Sequence, residues 1–144
     1  MRVVICGSIY FADEMKRARD RLEGMGHEVD MPASIGDFNI KTQEDADSVK
    51  GRDDHLTVIK PTYTIKHFDK VKNGDAILVV NMEKHGIKNY IGGATFSEIM
   101  LAFYYKKKIF FLNPIPADEK LKFMHDELAS VQPVIVGNDF SLVK

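Results

Sequence analysis

The sequence predicts a doubly wound α/β domain, a three-layer sandwich in which helices cover both faces of a five-stranded parallel sheet. Three observations carry this. Short apolar runs that do not alternate recur along the chain, as in RVVIC at Arg2–Cys6 and AILVV at Ala76–Val80; that pattern belongs to strands buried on both faces. Between them lie segments whose apolar residues recur every three or four positions, the period of a helix face. The 144 residues are also the length of about one domain, so residues 1–144 are expected as a single unit.

The elements follow in order. Arg2–Cys6 is the first strand, bounded by Gly7-Ser8. Phe11, Met15, Ala18, Leu22 and Met25 form one helix face, and Gly24 and Gly26 supply the stop. His27–Met31 restarts as a short strand closed by Pro32, which makes a βαβ opening. Residues 33–54 are polar and weakly patterned, and read either as a partly helical surface excursion or as a lid over a site. A helix is expected over Tyr63–Val71, with Pro61 breaking anything continuous before it and Asn73-Gly74 ending it. Ala76–Val80 is the expected central strand, followed by a glycine-containing loop over Asn81–Gly93. Ala94–Tyr105 is helical, and Lys106–Lys108 suit the negative end of its dipole. Ile109–Leu112 is the fourth strand, Asn113–Pro116 a rigid turn, Ala117–Ser130 the last amphipathic helix on Leu121, Met124 and Leu128, and Val134–Val136 the final strand. This is the flavodoxin-like or Rossmann-like arrangement, whose sites lie beyond the carboxyl ends of the strands.

Composition narrows the function. Twenty basic residues against twenty-one acidic ones leave a formal charge of -1, which argues against a nucleic-acid partner. No apolar run approaches the ~20 residues of a bilayer span, so no membrane association is expected. Cys6 is the one cysteine, in an apolar run, and reads as a buried core thiol; a cytoplasmic, reducing setting suits it. Paired-cysteine zinc sites are impossible, the acidic residues Asp45, Asp47, Asp53 and Asp54 fit no calcium-loop spacing, and the histidines His27, His55, His67, His85 and His125 are scattered. No metal is therefore expected. A dinucleotide fingerprint needs three spaced glycines and a P-loop needs its own longer motif. Neither is present, so no cofactor is expected either.

Two segments carry candidate chemistry. Gly7-Ser8 follows a strand and opens a helix, where a glycine admits close backbone approach and free amides favour anions. GGATFSE at Gly92–Glu98 opens the helix after the central strand. Thr95 and Glu98 have the spacing of a capping box, and a carboxylate there can equally act on a sugar as nucleophile or base. Tyr63 and His67 share a helix face, and His85 lies in the loop expected near the site with Lys84, Lys88, Asn89 and Tyr90.

The Gly7-Ser8 turn, the run ending at Val80 and GGATFSEIMLAFYYKKKIFFLN together resemble the nucleoside 2-deoxyribosyltransferase superfamily, including the related deoxynucleoside 5'-monophosphate N-glycosidases. The motif-level similarity spans roughly residues 3–11 and 75–115. The resemblance implies that Glu98 is a nucleophile attacking the anomeric carbon of a nucleoside or nucleotide, and that Gly7, Ser8, Ile9 and Tyr10 contact the substrate. Asn81, His85, Gly92, Gly93 and Thr95 complete the candidate substrate site. The family's assisting acid has no match, because Asn81 and Gly92 stand where it is expected; Glu83 and Asp69 are the available carboxylates. The resemblance also implies a homodimer with a shared active site. GGATFSE is similar to the glycine-rich motif of cytokinin-activating phosphoribohydrolases, although one residue shorter. A non-catalytic nucleotide-binding or signalling module is the remaining alternative. Ser8 at a helix start, with Lys84 and Lys88, leads to an expected preference for a 5'-monophosphate over the free nucleoside.

Overall fold

In the computed structural model, which describes residues 1–144, the strands β1 (Arg2–Cys6), β2 (Glu28–Asp30), β3 (Ala76–Val79), β4 (Lys108–Phe111) and β5 (Val134–Ile135) run parallel in the order β2-β1-β3-β4-β5. The inner strands are the apolar runs. Every residue of β3 is buried, and β1 and β4 expose only their first residue, whereas the edge strands β2 and β5 are open to solvent. Register follows from this burial: Val4 lies beside Ile77 and Ile77 beside Ile109.

Successive side chains of a strand face opposite ways, so the sheet feeds two cores. On one face Val3, Ile5 and Leu78 pack with α1 (Ala12–Gly24) through Met15, Ala18 and Leu22, and with Phe140 near the C-terminus. On the other Val4, Cys6, Ile77 and Val79 pack beneath α4 (Lys60–Asn73) and α5 (Gly93–Tyr104) through Val71, Ile99 and Ala102. This is the expected doubly wound three-layer α/β sandwich. No helix is long and apolar enough to cross a membrane.

Two segments differ from the expectation, the start of the helix before β3 and the last helix, while the polar stretch is partly helical as one of its two readings had it. The helix expected over Tyr63–Val71 runs from Lys60 to Asn73 and takes Pro61 into its first turn, where no amide is needed for the helical ladder. A π-helical turn, His55–Ile59, leads directly into it. The helix expected over Ala117–Ser130 divides into a 3₁₀ segment, Glu119–Met124, and α6 (His125–Ser130). Asp118 caps the first by accepting from the Lys120 amide, and three residues per turn stack Leu121 over Met124 toward the sheet. The polar stretch contains α2 (Ala33–Asp37) and α3 (Gln43–Lys50). The latter starts in a capping box: Thr42 Oγ1 accepts from the Asp45 amide at 3.2 Å, and the Asp45 carboxylate accepts from the Thr42 amide at 3.1 Å.

Candidate functional site

The chain leaves β1 toward β2 on one side, and β3, β4 and β5 lie on the other. Helices therefore depart to opposite faces at β1 and β3, and a crevice opens beyond their carboxyl ends. A cavity of about 240 Å³ fills it. Gly7, Ser8 and Ile9 border it from the end of β1, and Gly92, Gly93, Ala94, Thr95 and Glu98 from the start of α5. Pro32, Ser34, Val49 and Lys50 reach in from the polar excursion; His55, Ile59, Lys60, Tyr63, Thr64 and His67 come from the π-turn and α4. Lys84 and Tyr90 close the remaining side.

Gly7 makes this floor possible. A Cβ at position 7 would stand 2.7 Å from the Val80 carbonyl oxygen and 2.7 Å from the Met15 methyl. The methyl can swing away, but the carbonyl belongs to the buried residue that follows β3, whose amide is held by the Cys6 carbonyl at 2.8 Å, and cannot. Gly7→Ala is accordingly expected to destabilise the fold by about 1–3 kcal/mol through overpacking, read as a lower urea midpoint at unchanged slope. An unaltered midpoint would show that the turn has slack. Beyond Gly7, Ser8 caps a 3₁₀ turn over Ile9–Phe11, its hydroxyl accepting from the Tyr10 amide at 3.3 Å.

Glu98 stands one turn into α5, whose N-cap is Gly92 and whose first turn holds no acidic residue. The capping box that the Thr95–Glu98 spacing allows is therefore not formed. Thr95 and Glu98 both turn inward, 3% and 8% exposed, as residues three apart on one helix face do. Beneath Glu98 lie His67 of α4 and Cys6 at the end of β1. His67 Nε2 is 3.9 Å from the Glu98 carboxylate and 3.5 Å from Cys6 Sγ. Burial pushes the Glu98 carboxyl up to about 8, with the Cys6 thiol and the Lys60 ammonium pulling weakly the other way. It also pushes the Cys6 thiol well up, reinforced by the neighbouring carboxyl. Burial, and then the Lys70 ammonium, holds His67 down to about 4 against a lesser pull from the Ile5 main chain. The cluster is thus uncharged at neutral pH.

This has a consequence for stability. A carboxyl whose folded pKa is raised favours folding most when protonated. The contribution is complete below the ordinary value of 4.5 and is lost as pH rises through about 8. Glu98→Gln carries no charge to bury, so it is expected to resist urea better than the wild type at about pH 9, by an amount that shrinks toward about pH 5. Parallel stability curves for the two proteins would contradict this.

Opposite the neutral cluster the cavity is cationic. Lys84 Nζ stands 3.4 Å from Ser8 Oγ and 4.1 Å above the Tyr10 ring, whose other neighbour is the Lys50 ammonium at 4.4 Å. Desolvation of that ammonium and its proximity to Lys84 pull Lys50 down to about 8. Lys60 adds a third ammonium to the wall, while Glu98 is its one carboxyl. Two ammonium groups held this close repel each other, and an anion between them would relieve both.

No family model matches this chain, and no curated protein matches it at a significant level. Of the residues singled out in the sequence, Gly7, Ser8, Ile9, Gly92, Gly93, Thr95 and Glu98 converge on one cavity. Tyr10 lies at its rim beneath the two ammonium groups, its hydroxyl donating to Asp47. Asn81 is placed elsewhere: fully buried, it donates to the Asn113 and Pro114 carbonyls at 2.9 and 3.1 Å and accepts from the Asn113 amide at 2.9 Å, tying the ends of β3 and β4 together. His85 sits in an exposed turn with φ 52°, edge-on to Tyr10 and outside the cavity wall. Lys88, Glu83 and Asp69 are exposed and also outside it. Lys50, Lys60 and Cys6 are the contributors that pattern reading passed over. Only the Tyr63–His67 helix face signalled that α4 would line the site.

Proposed function

We propose that the protein cleaves or transfers at the N-glycosidic bond of a (deoxy)nucleoside or its 5'-monophosphate, with Glu98 as the nucleophile. One observation carries this reading. The only carboxyl of a lysine-bearing cavity at the sheet's switch point is Glu98, presented by a glycine-led helix start. A cavity of about 240 Å³ suits a sugar with one phosphate and part of a base. In the reaction, a Glu98 oxygen forms a bond to C1' as the C1'–N bond breaks, and its electron pair leaves with the base. Water or a second base then displaces Glu98 from C1'. Lys50, Lys84 and the Ser8 hydroxyl would hold the phosphate and set C1' against the carboxylate. A cytoplasmic homodimer that shares its sites suits the same reading.

The nucleophile must be ionised, and burial raises the Glu98 carboxyl to about 8. The kcat/KM of this enzyme is therefore expected to rise with pH and level off near that value. The same burial favours one other reading, a nucleotide-binding module without turnover, because the carboxyl stays protonated at neutral pH and the wall offers no second carboxyl as the assisting acid. The test is base release, followed chromatographically, from deoxynucleosides, ribonucleosides and their 5'-monophosphates, with affinities measured in parallel. Release from any deoxy substrate supports the proposal, and release confined to ribonucleotides moves it toward a phosphoribohydrolase. Saturable binding without release supports the module.

A further inference from the structure

The residues beneath the cavity have a geometry that glycosidic chemistry does not call for. Cys6, His67 and Glu98 lie 61 and 31 positions apart in turn along the chain, yet the fold brings them together. Cys6 shares the face of β1 that carries Val4, and α4 and α5 cover that face and lean on each other. One residue from each of three elements thus meets at a point. A thiol sulfur, an imidazole nitrogen and a carboxylate oxygen lie within 4.8 Å of one another, and all three residues are buried. Two of the three, His67 and Glu98, also border the cavity.

We propose that Cys6 Sγ, His67 Nε2 and the Glu98 carboxylate form a three-ligand site for a thiophilic divalent cation, Zn²⁺ being the type, with the fourth coordination position open to the cavity. Distances support it. Zinc bonds of about 2.3 Å to sulfur and about 2.0 Å to nitrogen, at a tetrahedral angle, set those two atoms about 3.5 Å apart. The separation of Cys6 Sγ from His67 Nε2 is 3.5 Å. The nitrogen and oxygen ligands of such a site stand about 3.3 Å apart. His67 Nε2 and the Glu98 oxygen are at 3.9 Å, a gap that a small rotation of the Glu98 side chain closes.

The ligand set matches the metal. Borderline-soft Zn²⁺ takes sulfur, nitrogen and oxygen together, whereas Mg²⁺ and Ca²⁺ call for oxygen alone. Charge balances as well. Binding displaces one proton from the thiol and one from the carboxyl, and a dication with one thiolate, one carboxylate and a neutral imidazole is electrically neutral overall. Neutrality matters where no water solvates the ligands. Nε2 is the ring nitrogen of His67 that the cluster engages, because it is the one that faces both the Cys6 sulfur and the Glu98 carboxylate. Three protein ligands and one open position are the arrangement of a reactive rather than a purely structural zinc centre.

The consequence for activity rests on the reading of Glu98 as nucleophile, although the site itself does not. A cation that holds the Glu98 oxygen withdraws it from C1', so metal and glycosyl transfer exclude each other. Base release is then switched off by Zn²⁺ and restored by a chelator.

The experiment is a titration of the full chain with Co²⁺, which takes zinc's tetrahedral positions and absorbs visibly. Cys6 is the only thiol in the chain, so a thiolate-to-cobalt charge-transfer band has one possible source. The expected result is that band in the near ultraviolet, saturating at one ion per chain and abolished by Zn²⁺. Cys6→Ser is expected to remove the band, and His67→Gln to weaken cobalt affinity at least ~10-fold. Absence of the band in the wild type overturns the proposal without any variant, so a poorly folding Cys6→Ser does not blunt the test. A band unchanged in both His67→Gln and Glu98→Gln overturns it too. Because the readout is spectroscopic, the metal site stands or falls independently of whether base release is ever observed.

Discussion

Glu98→Gln is expected to lower kcat for base release by ~10³-fold or more while leaving the protein folded and its nucleotide affinity largely intact. The amide has the shape of the carboxyl and donates where the protonated acid does, so the buried surroundings of Cys6 and His67 are preserved. What it lacks is an oxygen able to form an ester with C1'. A residue that acts only through packing would lose little, because burial already holds Glu98 uncharged at neutral pH and glutamine is uncharged at any pH. The measurement is single-turnover base release with the best substrate of the panel, beside a urea melt of the same sample. A variant that retains wild-type turnover removes Glu98 from the chemistry.

The second large effect concerns the phosphate. Lys84→Ala is expected to lower kcat/KM for a deoxynucleoside 5'-monophosphate by about 10–100-fold, the worth of one charge-assisted hydrogen bond of about 1.5–3 kcal/mol. The free nucleoside should suffer less. Lys84 is the ammonium that stands 3.4 Å from Ser8 Oγ, beside the amides that open the first helical segment. Lys50, across the Tyr10 ring, is half of the same cationic pair. In the variant it is relieved of its like-charged neighbour, so its own pKa should climb back from about 8. Equal losses for monophosphate and nucleoside would mean that Lys84 shapes the cavity without reading the phosphate.

Much of the fold was legible in the sequence because burial on both faces leaves an unmistakable mark. Arg2–Cys6 and Ala76–Val79 are apolar runs without alternation, and they are the two inner strands that flank the crevice. The edge strands were placed by a restart after Gly26 closed by Pro32 and by the short run at Val134–Val136, and the limits that moved did so by one residue because little burial defines them. Pro61 misled because the same residue that breaks a helix interior is tolerated in its first turn, and spacing alone does not say which turn it occupies. The site was partly legible for a related reason. Glycines and a carboxylate at a strand-to-helix junction are local signals, and Gly7, Ser8, Gly92, Gly93 and Glu98 do meet. Cys6 and His67 are not local to Glu98. Cys6 reads as a core thiol and His67 as a partner of Tyr63 on one helix face, and nothing ties either to Glu98 until β1, α4 and α5 are packed together. Lys50 hid in an acidic stretch whose charge gave no hint of a cation aimed at the cavity. Asn81 shows the converse. Its position after the central strand suggested a ligand contact, yet its amide is spent on the Asn113–Pro114 turn.

Covalent trapping tests the central claim most directly. Fluorine at C2' of a deoxynucleoside 5'-monophosphate slows both steps, because both pass through an electron-poor C1', and a base activated as a leaving group restores the first step alone, so the glycosyl ester forms faster than water removes it. Incubated with the protein before digestion, such a nucleotide is predicted to leave one fluorinated sugar phosphate on the peptide that carries Glu98, with one equivalent of base released and no adduct in Glu98→Gln. Base release from the wild type with Glu98 unmodified and the label on another residue, or an adduct that persists in Glu98→Gln, would contradict the account.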